Sequence, residues 1–203
     1  MRMGVDKLRQ AFCWNRDWAW LLFRHVRNCN LERMQIRSAT LADVPAMTEC
    51  LNWAIRETDF IFRDTEATIA EREEYLRQNI ADGCPWLVAE TEPETPGEKP
   101  QHLGWAMYHP YRDPSVWKGC YETTIYLDPA AQGRGVGTAL LGELVSLARA
   151  DEKVHTLLGL IVDTNVASIK LHEKFGFANV GTFKEVSYKM GHWLNLTHLQ
   201  LML

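Results

Sequence analysis

Gln132-Gly133-Arg134-Gly135-Val136-Gly137-Thr138 stands between two segments of different periodicity. Upstream, Tyr121 to Leu127 is rich in β-branched and aromatic residues and stops at Asp128-Pro129, the pattern of a strand. Downstream, Val136 to about Ala150 brings Leu140, Leu141, Leu144, Val145 and Ala148 to one side at helical spacing. Three alternating glycines therefore carry a strand into a helix N-terminus. Such a turn lets backbone N–H groups approach a phosphate, the helix dipole adds partial positive charge there, and Arg134 supplies a full one. Glycines also serve ordinary turns, so competing phosphate loops must be weighed. A Walker loop needs a lysine before the Thr138 position, and Gly137 stands there. A Rossmann loop follows the first strand of a repeated parallel unit, whereas this one comes late, after several hairpin-like strands.

The rest of the chain supports a mixed sheet. Gln35 to Ala39 reads as a short strand; Thr40 caps a helix from Leu41 to about Glu57, with Pro45 early enough to cost little. A second helix is expected from about Glu66 to Ala81, with Ile69, Tyr75, Leu76 and Ile80 as its apolar face. Pro85 to Glu90 reads as a buried strand, 91–101 as a polar turn with Pro93, Pro96, Gly97 and Pro100, and His102 to Tyr108 as another strand. After the leucine-rich helix come a strand from His155 to Val162, a helix from Val166 to Phe175 stopped by Gly176, and two further strands. The order βααβββαβαββ predicts an α/β (α+β) fold, a mixed and mostly antiparallel sheet flanked by helices.

Composition narrows the function. The chain has 203 residues, a one-domain length, and a net charge of -4. Residues 1–33 carry about +4 and residues 34–203 about -8, so the main domain, 34–203, lacks the basic footprint of a nucleic-acid binder. Residues 1–33 form a basic, aromatic-rich extension with Trp14, Trp18, Trp20 and Phe23 among arginines. It reads as an amphipathic docking helix or as a non-native or mispredicted extension, the second favoured because Met34 stands immediately before the first strand-like segment. Trp18 to Phe23 is too short to span a membrane. Cys13, Cys29, Cys50, Cys84 and Cys120 are odd in number with no Cys-x-x-Cys pair, which points to reduced thiols in the cytoplasm and to no metal site.

Gln132-x-x-Gly135-x-Gly137 after a strand ending in Asp-Pro resembles the acetyl-CoA pyrophosphate loop of the GCN5-related N-acetyltransferases (GNAT). Pro85-Trp86-Leu87-Val88-Ala89-Glu90, Glu122-Thr123-Thr124-Ile125-Tyr126-Leu127, Ser168-Ile169-x-Leu171-His172-Glu173 and Tyr188-Lys189-x-Gly191-x-Trp193 resemble the phosphinothricin and methionine sulfone acetyltransferase branch, in the same order along the chain. The resemblance implies the GNAT fold, acetyl-CoA as co-substrate, a small-molecule primary amine as acceptor, and a homodimer. It further implies that Gln132, Gly133, Arg134, Gly135, Val136, Gly137 and Thr138 hold the pyrophosphate. The backbone of Ile125, Tyr126 and Leu127 would pair with the pantetheine arm, and Asn165 and Ser168 would line the coenzyme channel.

Acetyl transfer from a thioester needs a neutral amine, hence a base, and donors for the oxyanion. Glu122 alternates with Thr124 and Tyr126 inside a β-branched strand, where burial raises a carboxyl pKa and makes it a better base. The family's proposed base falls on the same position. By resemblance His172 protonates the departing thiolate; the alternative is a histidine satisfied within its helix, and for Asn165 a helix N-cap. Tyr111, Arg112, Trp117 and Lys118 cluster ahead of Glu122, an aromatic wall with cations that suits the carboxylate or phosphinate of an amino-acid-like acceptor. Phe62 and Arg63 fall where relatives place substrate-facing residues. Direct transfer without a covalent acetyl-enzyme is expected, because no cysteine has a patterned base partner. Two rivals stay open: transfer to a protein or peptide amine, and an inactive acetyl-CoA-binding module.

Overall fold

The computed structural model describes residues 33–93, 95 and 97–203, and the basic N-terminal segment, Cys13, Cys29 and Pro96 lie outside them. The elements run β1 (Met34–Ser38), α1 (Val44–Glu57), α2 (Ile69–Ala81), β2 (Trp86–Thr91), β3 (His102–Pro110), β4 (Cys120–Leu127), α3 (Val136–Ala150), β5 (Thr156–Val162), α4 (Val166–Lys174), β6 (Ala178–Lys189) and β7 (His192–Met202). This is the expected order. The seven strands form one sheet, β1-β2-β3-β4-β5-β7-β6, antiparallel at every pairing except β4 with β5.

Strand alternation divides the interior into two cores. Leu87, Ala89, Ala106 and Tyr108 face α3, which buries Leu140, Leu141, Leu144 and Ala148 against them. Trp86, Val88, Trp105 and Met107 face the opposite way, onto Val44, Met47 and Leu51 of α1 and Leu76 of α2. Strand β2 is buried on both faces, hence its unbroken apolar run. Trp105 reaches this second core without leaving its indole N–H orphaned, donating to the Met47 carbonyl at 3.1 Å.

Helix starts and faces differ from expectation in two places. Leu41–Asp43 is a single 3-10 turn, in which the Asp43 carboxylate accepts the Thr40 N–H at 2.7 Å, and α1 begins only at Val44. Helix α2 starts at Ile69 because Thr68 caps it, accepting the Glu71 N–H at 3.2 Å. Its apolar face is the expected one only in part: Leu76 is buried and Tyr75 packs on the core, but Ile69 and Ile80 are 48% and 54% exposed, and Arg72 and Asn79 are buried. The two isoleucines lie about 60–80° round the helix from Arg72, at the edge of the stripe that meets the sheet.

The feature that shapes the site is the parting of β4 and β5. They pair over only Cys120, Tyr121 and Glu122 against Thr156, Leu157 and Leu158. Beyond that point both strands continue, to Leu127 and Val162, without a ladder between them. His172 fills the fork. Its ring packs so closely on β5 that a Cβ at Gly159 would stand 3.0 Å from it, and it meets Phe177 edge-on with centroids 4.9 Å apart. Its Nδ1–H donates to the Ser168 carbonyl at 2.8 Å, and the Thr123 hydroxyl, with one proton to give, lies 3.0 Å from the Leu158 carbonyl on β5 and 3.2 Å from the accepting Nε2. One imidazole thus links α4, β4 and β5. His172→Ala removes the packing and both polar contacts from a buried position and is expected to lower stability by about 3 kcal/mol, read from urea unfolding. An unchanged midpoint would show that the wedge carries nothing.

Candidate active site

The glycine loop is built as its sequence suggests. Asp128 caps a 3-10 turn, Pro129–Ala131, accepting the Ala130 N–H at 2.8 Å, and the chain then climbs to α3 through Gly135, whose φ of 86° lies in the left-handed region. The first intrahelical bond is Ala139 N–H to the Gly135 carbonyl, 3.1 Å. The N–H groups of Val136, Gly137 and Thr138 therefore sit at the free positive end of the helix. Gly133 has φ 72° and open space where a side chain would stand, so a ligand can reach the backbone there. At Gly137 a Cβ would come within 3.2 Å of Leu171 and 3.3 Å of Leu127, so the glycine lets α3 settle against β4 and α4. Free N–H groups, an open glycine cradle and the Arg134 side chain fit a pyrophosphate. The unladdered stretch of β4 running up to the loop fits an amide-bearing arm, which adds to a strand edge by backbone pairing.

Asn165 and Ser168 stand beside the fork, but Asn165 is engaged as the N-cap of α4, its side chain accepting the Ser168 N–H at 3.1 Å. His172 is 3% exposed, and burial lowers its pKa, which keeps the ring neutral. Its contact on β4 is Thr123, whose side chain points to the opposite face of the strand from Glu122.

Glu122, Thr124 and Tyr126 share the other face of β4, the one turned toward α1 and α2. There a cavity of about 630 Å³ is lined by Leu51, Ile61, Arg63, Tyr75, Trp105, Met107, Thr124 and Tyr126, together with Glu71, Arg72, Glu74 and Gln78 of α2. Its size suits a small ligand. Glu122 pairs across the strands with His109 at the end of this face. Burial alone pushes its carboxyl up to about 7, a value suited to a base at neutral pH.

The expected acceptor residues scatter. Arg63 lines the cavity, but its guanidinium is held by both Glu71 carboxylate oxygens, at 2.8 and 3.1 Å, and by the Thr65 carbonyl. Phe62 is 43% exposed, and its neighbour Ile61 is the residue that faces inward. Tyr111 and Trp117 pack edge-on at 5.3 Å with Arg112 over both rings, at 5.1 and 5.6 Å. That cluster forms within its own loop, and neither it nor Lys118 lines the cavity. Sequence reading placed Tyr75 on the inward face of α2 but missed Arg72, which the helix also turns inward. Arg72 is 8% exposed, stacked over Tyr75, Trp86 and Trp105. A charged residue four before Leu76 on the buried stripe was the available signal.

A thiol relay finds no support among the described residues. Cys50 and Cys84 are buried, and desolvation pushes their thiols up to about 12 and about 11, away from the reactive thiolate.

Comparison with known proteins places the chain. Residues 47–177 match the model of the acetyltransferase (GNAT) family. The L-methionine sulfoximine/L-methionine sulfone acetyltransferase of Pseudomonas aeruginosa is 34% identical over 166 residues, covering 82% of this chain and 92% of that protein. The GNAT superfamily phosphinothricin acetyltransferase of Sinorhizobium meliloti, solved in complex with acetyl-CoA, superposes with a TM-score of 0.77 at 28% identity, over 84% of this chain and 89% of that one. A ribosomal-protein-alanine N-acetyltransferase of Brucella melitensis gives a TM-score of 0.75 at 38% identity, over 83% and 99% of the two chains. With the glycine loop, the forked sheet and a family match over most of its length, the chain belongs to the acetyltransferase (GNAT) family.

Proposed function

We propose that this protein acetylates the primary amine of a small amino-acid-like acceptor, of the methionine sulfone or phosphinothricin type, by direct transfer with both substrates bound. The observation that carries this reading is Glu122, a carboxyl raised to about 7 by burial on the β4 face whose Thr124 and Tyr126 line the cavity. The names of the Pseudomonas and Sinorhizobium relatives point to the same acceptor class.

Acetyl-CoA supplies an activated acetyl thioester. The loop Gln132 to Thr138 holds its pyrophosphate through backbone N–H groups and Arg134, and β4 from Ile125 to Leu127 takes the pantetheine arm in the fork, with Asn165 and Ser168 alongside. Glu122 accepts one proton from the acceptor's ammonium, leaving the lone pair that attacks the acetyl carbonyl. A β4 N–H donates to the carbonyl oxygen as negative charge grows. As the tetrahedral adduct collapses the C–S bond breaks, and of the two protons left on nitrogen one stays on the amide while the other passes to the departing thiolate, so a thiol of pKa about 8.5 forms without a dedicated side-chain acid. His172, neutral and engaged at both nitrogens, acts here by holding the fork open.

The Brucella relative favours a second reading, transfer to the N-terminal alanine of a protein. An assay of released thiol across free amino acids and alanyl peptides separates the two: turnover confined to peptides overturns the small-acceptor reading.

The protein is further proposed to be a cytoplasmic homodimer. The unpaired thiols of Cys50 and Cys84 suit a reducing compartment, and the edge hairpin β6–β7 exposes Val180, Phe183, Val186, Tyr188, Met190 and Trp193, apolar surface fit to meet a second copy. Sedimentation is expected to give twice the 23.4 kDa chain mass, and Phe183→Glu with Trp193→Glu to give the single chain. A wild-type monomer overturns the dimer.

Glu122→Gln should lower kcat at least tenfold while leaving the acetyl-CoA Kd within about twofold. In the wild type, kcat/KM should rise with pH through about 7 as Glu122 loses its proton, and fall at higher pH where the acceptor's ammonium, the form whose proton Glu122 takes, loses its own. The variant should lack the rise near 7. Persistence of the inflection near 7 would remove Glu122 from the mechanism.

A further inference from the structure

Arg72 presents an unmet demand inside the cavity. A guanidinium carries five N–H donors, and burying it strips their water, so buried arginines are ordinarily matched by carboxylates or carbonyls. Here the charge is met by ring faces: Cζ stands 4.9 Å from the Tyr75 centroid, 5.0 Å from Trp86 and 5.4 Å from Trp105. A ring face attracts the cation but leaves N–H groups in the guanidinium plane without acceptors. Accordingly Nε and Nη2 are buried with no hydrogen-bond partner among the described residues.

The acids of the same helix are committed elsewhere. Glu71 is held bidentately by Arg63, and Glu74 sits 3.6 Å from Arg77. The other cations that the sequence singled out differ from Arg72. Arg63 is already satisfied, and Arg112 lies exposed on its own loop. Arg72 has spare donors covered by the packed side chains around them, and it lines the cavity shared by Thr124 and Tyr126, so an oxoanion there reaches those donors as the covering side chains shift.

Nε–H and one Nη2–H form a fork edge of the guanidinium, two nearly parallel donors spaced to match the two oxygens of one oxoanion. We propose that Arg72 is the acceptor's oxoanion receptor, its Nε/Nη2 edge binding a carboxylate, sulfonyl or phosphinate group of the amine held in the cavity. This rests on the small-acceptor reading above. It makes Arg72 the residue that orients the acceptor: Tyr75, stacked edge-on against both Trp86 at 5.6 Å and His109 at 6.3 Å, spans from the Arg72 cage toward His109, the cross-strand partner of Glu122. With the oxoanion fixed at one end, the amine is directed toward the base at the other.

The test uses full-length wild type, Arg72→Gln and Arg72→Lys, with methionine sulfone, its carboxamide and methionine as acceptors. Arg72→Gln should raise KM for methionine sulfone at least tenfold with KM for acetyl-CoA unchanged, and Arg72→Lys, which keeps the charge but not the fork, should fall between. If the bound group is the carboxylate, the carboxamide is a poor acceptor for wild type and indifferent to the substitution. If it is the sulfonyl, methionine is the acceptor that is poor and indifferent. An unchanged KM for every acceptor, or a rise for acetyl-CoA in step, overturns the proposal. Calorimetric titration of the same three compounds into CoA-loaded wild type needs neither turnover nor a folded variant, and equal affinity for all three also overturns it. Should wild type release no thiol with any amine, the acetyltransferase reading fails. The oxoanion site then stands if methionine sulfone binds wild type and not Arg72→Gln, and falls if both bind it alike.

Discussion

Two neighbouring strands that begin together and then separate set the geometry of everything else in this molecule. A sheet gains by continuing its ladder, so a fork persists only where something occupies it and where the freed backbone has another use. The occupant is His172. Gly159 is the complementary element, since any side chain there would displace the ring. The freed backbone of β4 runs to the glycine loop, and Gly137 draws the α3 N-terminus against Leu127 at the end of that strand. Loop, strand edge and fork are thus one construction, and shifting any of them moves the others.

Strand alternation then gives β4 two separate occupations. Tyr121, Ile125 and Leu127 pack toward α3 and α4, and Thr123 closes onto His172. Glu122, Thr124 and Tyr126 look the other way. This is why two ionisable residues that both sit at the site behave oppositely under one cause. Burial disfavours the charged form of each, raising the Glu122 carboxyl and lowering the His172 imidazole. One cause thus favours the uncharged form of both.

The glycine loop, α3 and the strand order were legible because each rests on local rules: turn glycines, helical spacing of leucines, β-branched runs bounded by Asp-Pro. The burial of Glu122 was legible because a lone acid in an apolar strand conflicts with its surroundings. The contacts of His172 were not, since the helix face that it shares with Asn165 and Ser168 is visible in the spacing but the β4 face that it meets is not. Helix α2 misled for a similar reason. Its isoleucines flank the buried stripe, and the stripe is centred on an arginine that only three aromatic rings from α2, β2 and β3 make tolerable. The loop cations misled because their aromatic partners lie within the loop itself, so a cluster in sequence became a cluster in space without turning toward the cavity.

The cavity is costly to the free protein. Glu122 has a folded pKa of about 7 against an ordinary 4.5, so the folded state binds the proton more tightly than the unfolded chain. The stability this contributes is present below 4.5 and is lost as pH rises to about 7. Arg72 pays the same kind of desolvation cost at all pH values near neutrality, with two donors unmatched. The two groups form no ion pair with one another: Arg72 is met by ring faces, and burial alone shifts Glu122. On the proposed reading a zwitterionic acceptor would offset both at once, its ammonium meeting the carboxyl and its oxoanion the guanidinium fork. Analogues lacking either charge leave one buried group unmatched, and a site built on unmatched polar groups discriminates more sharply than an apolar pocket of the same shape.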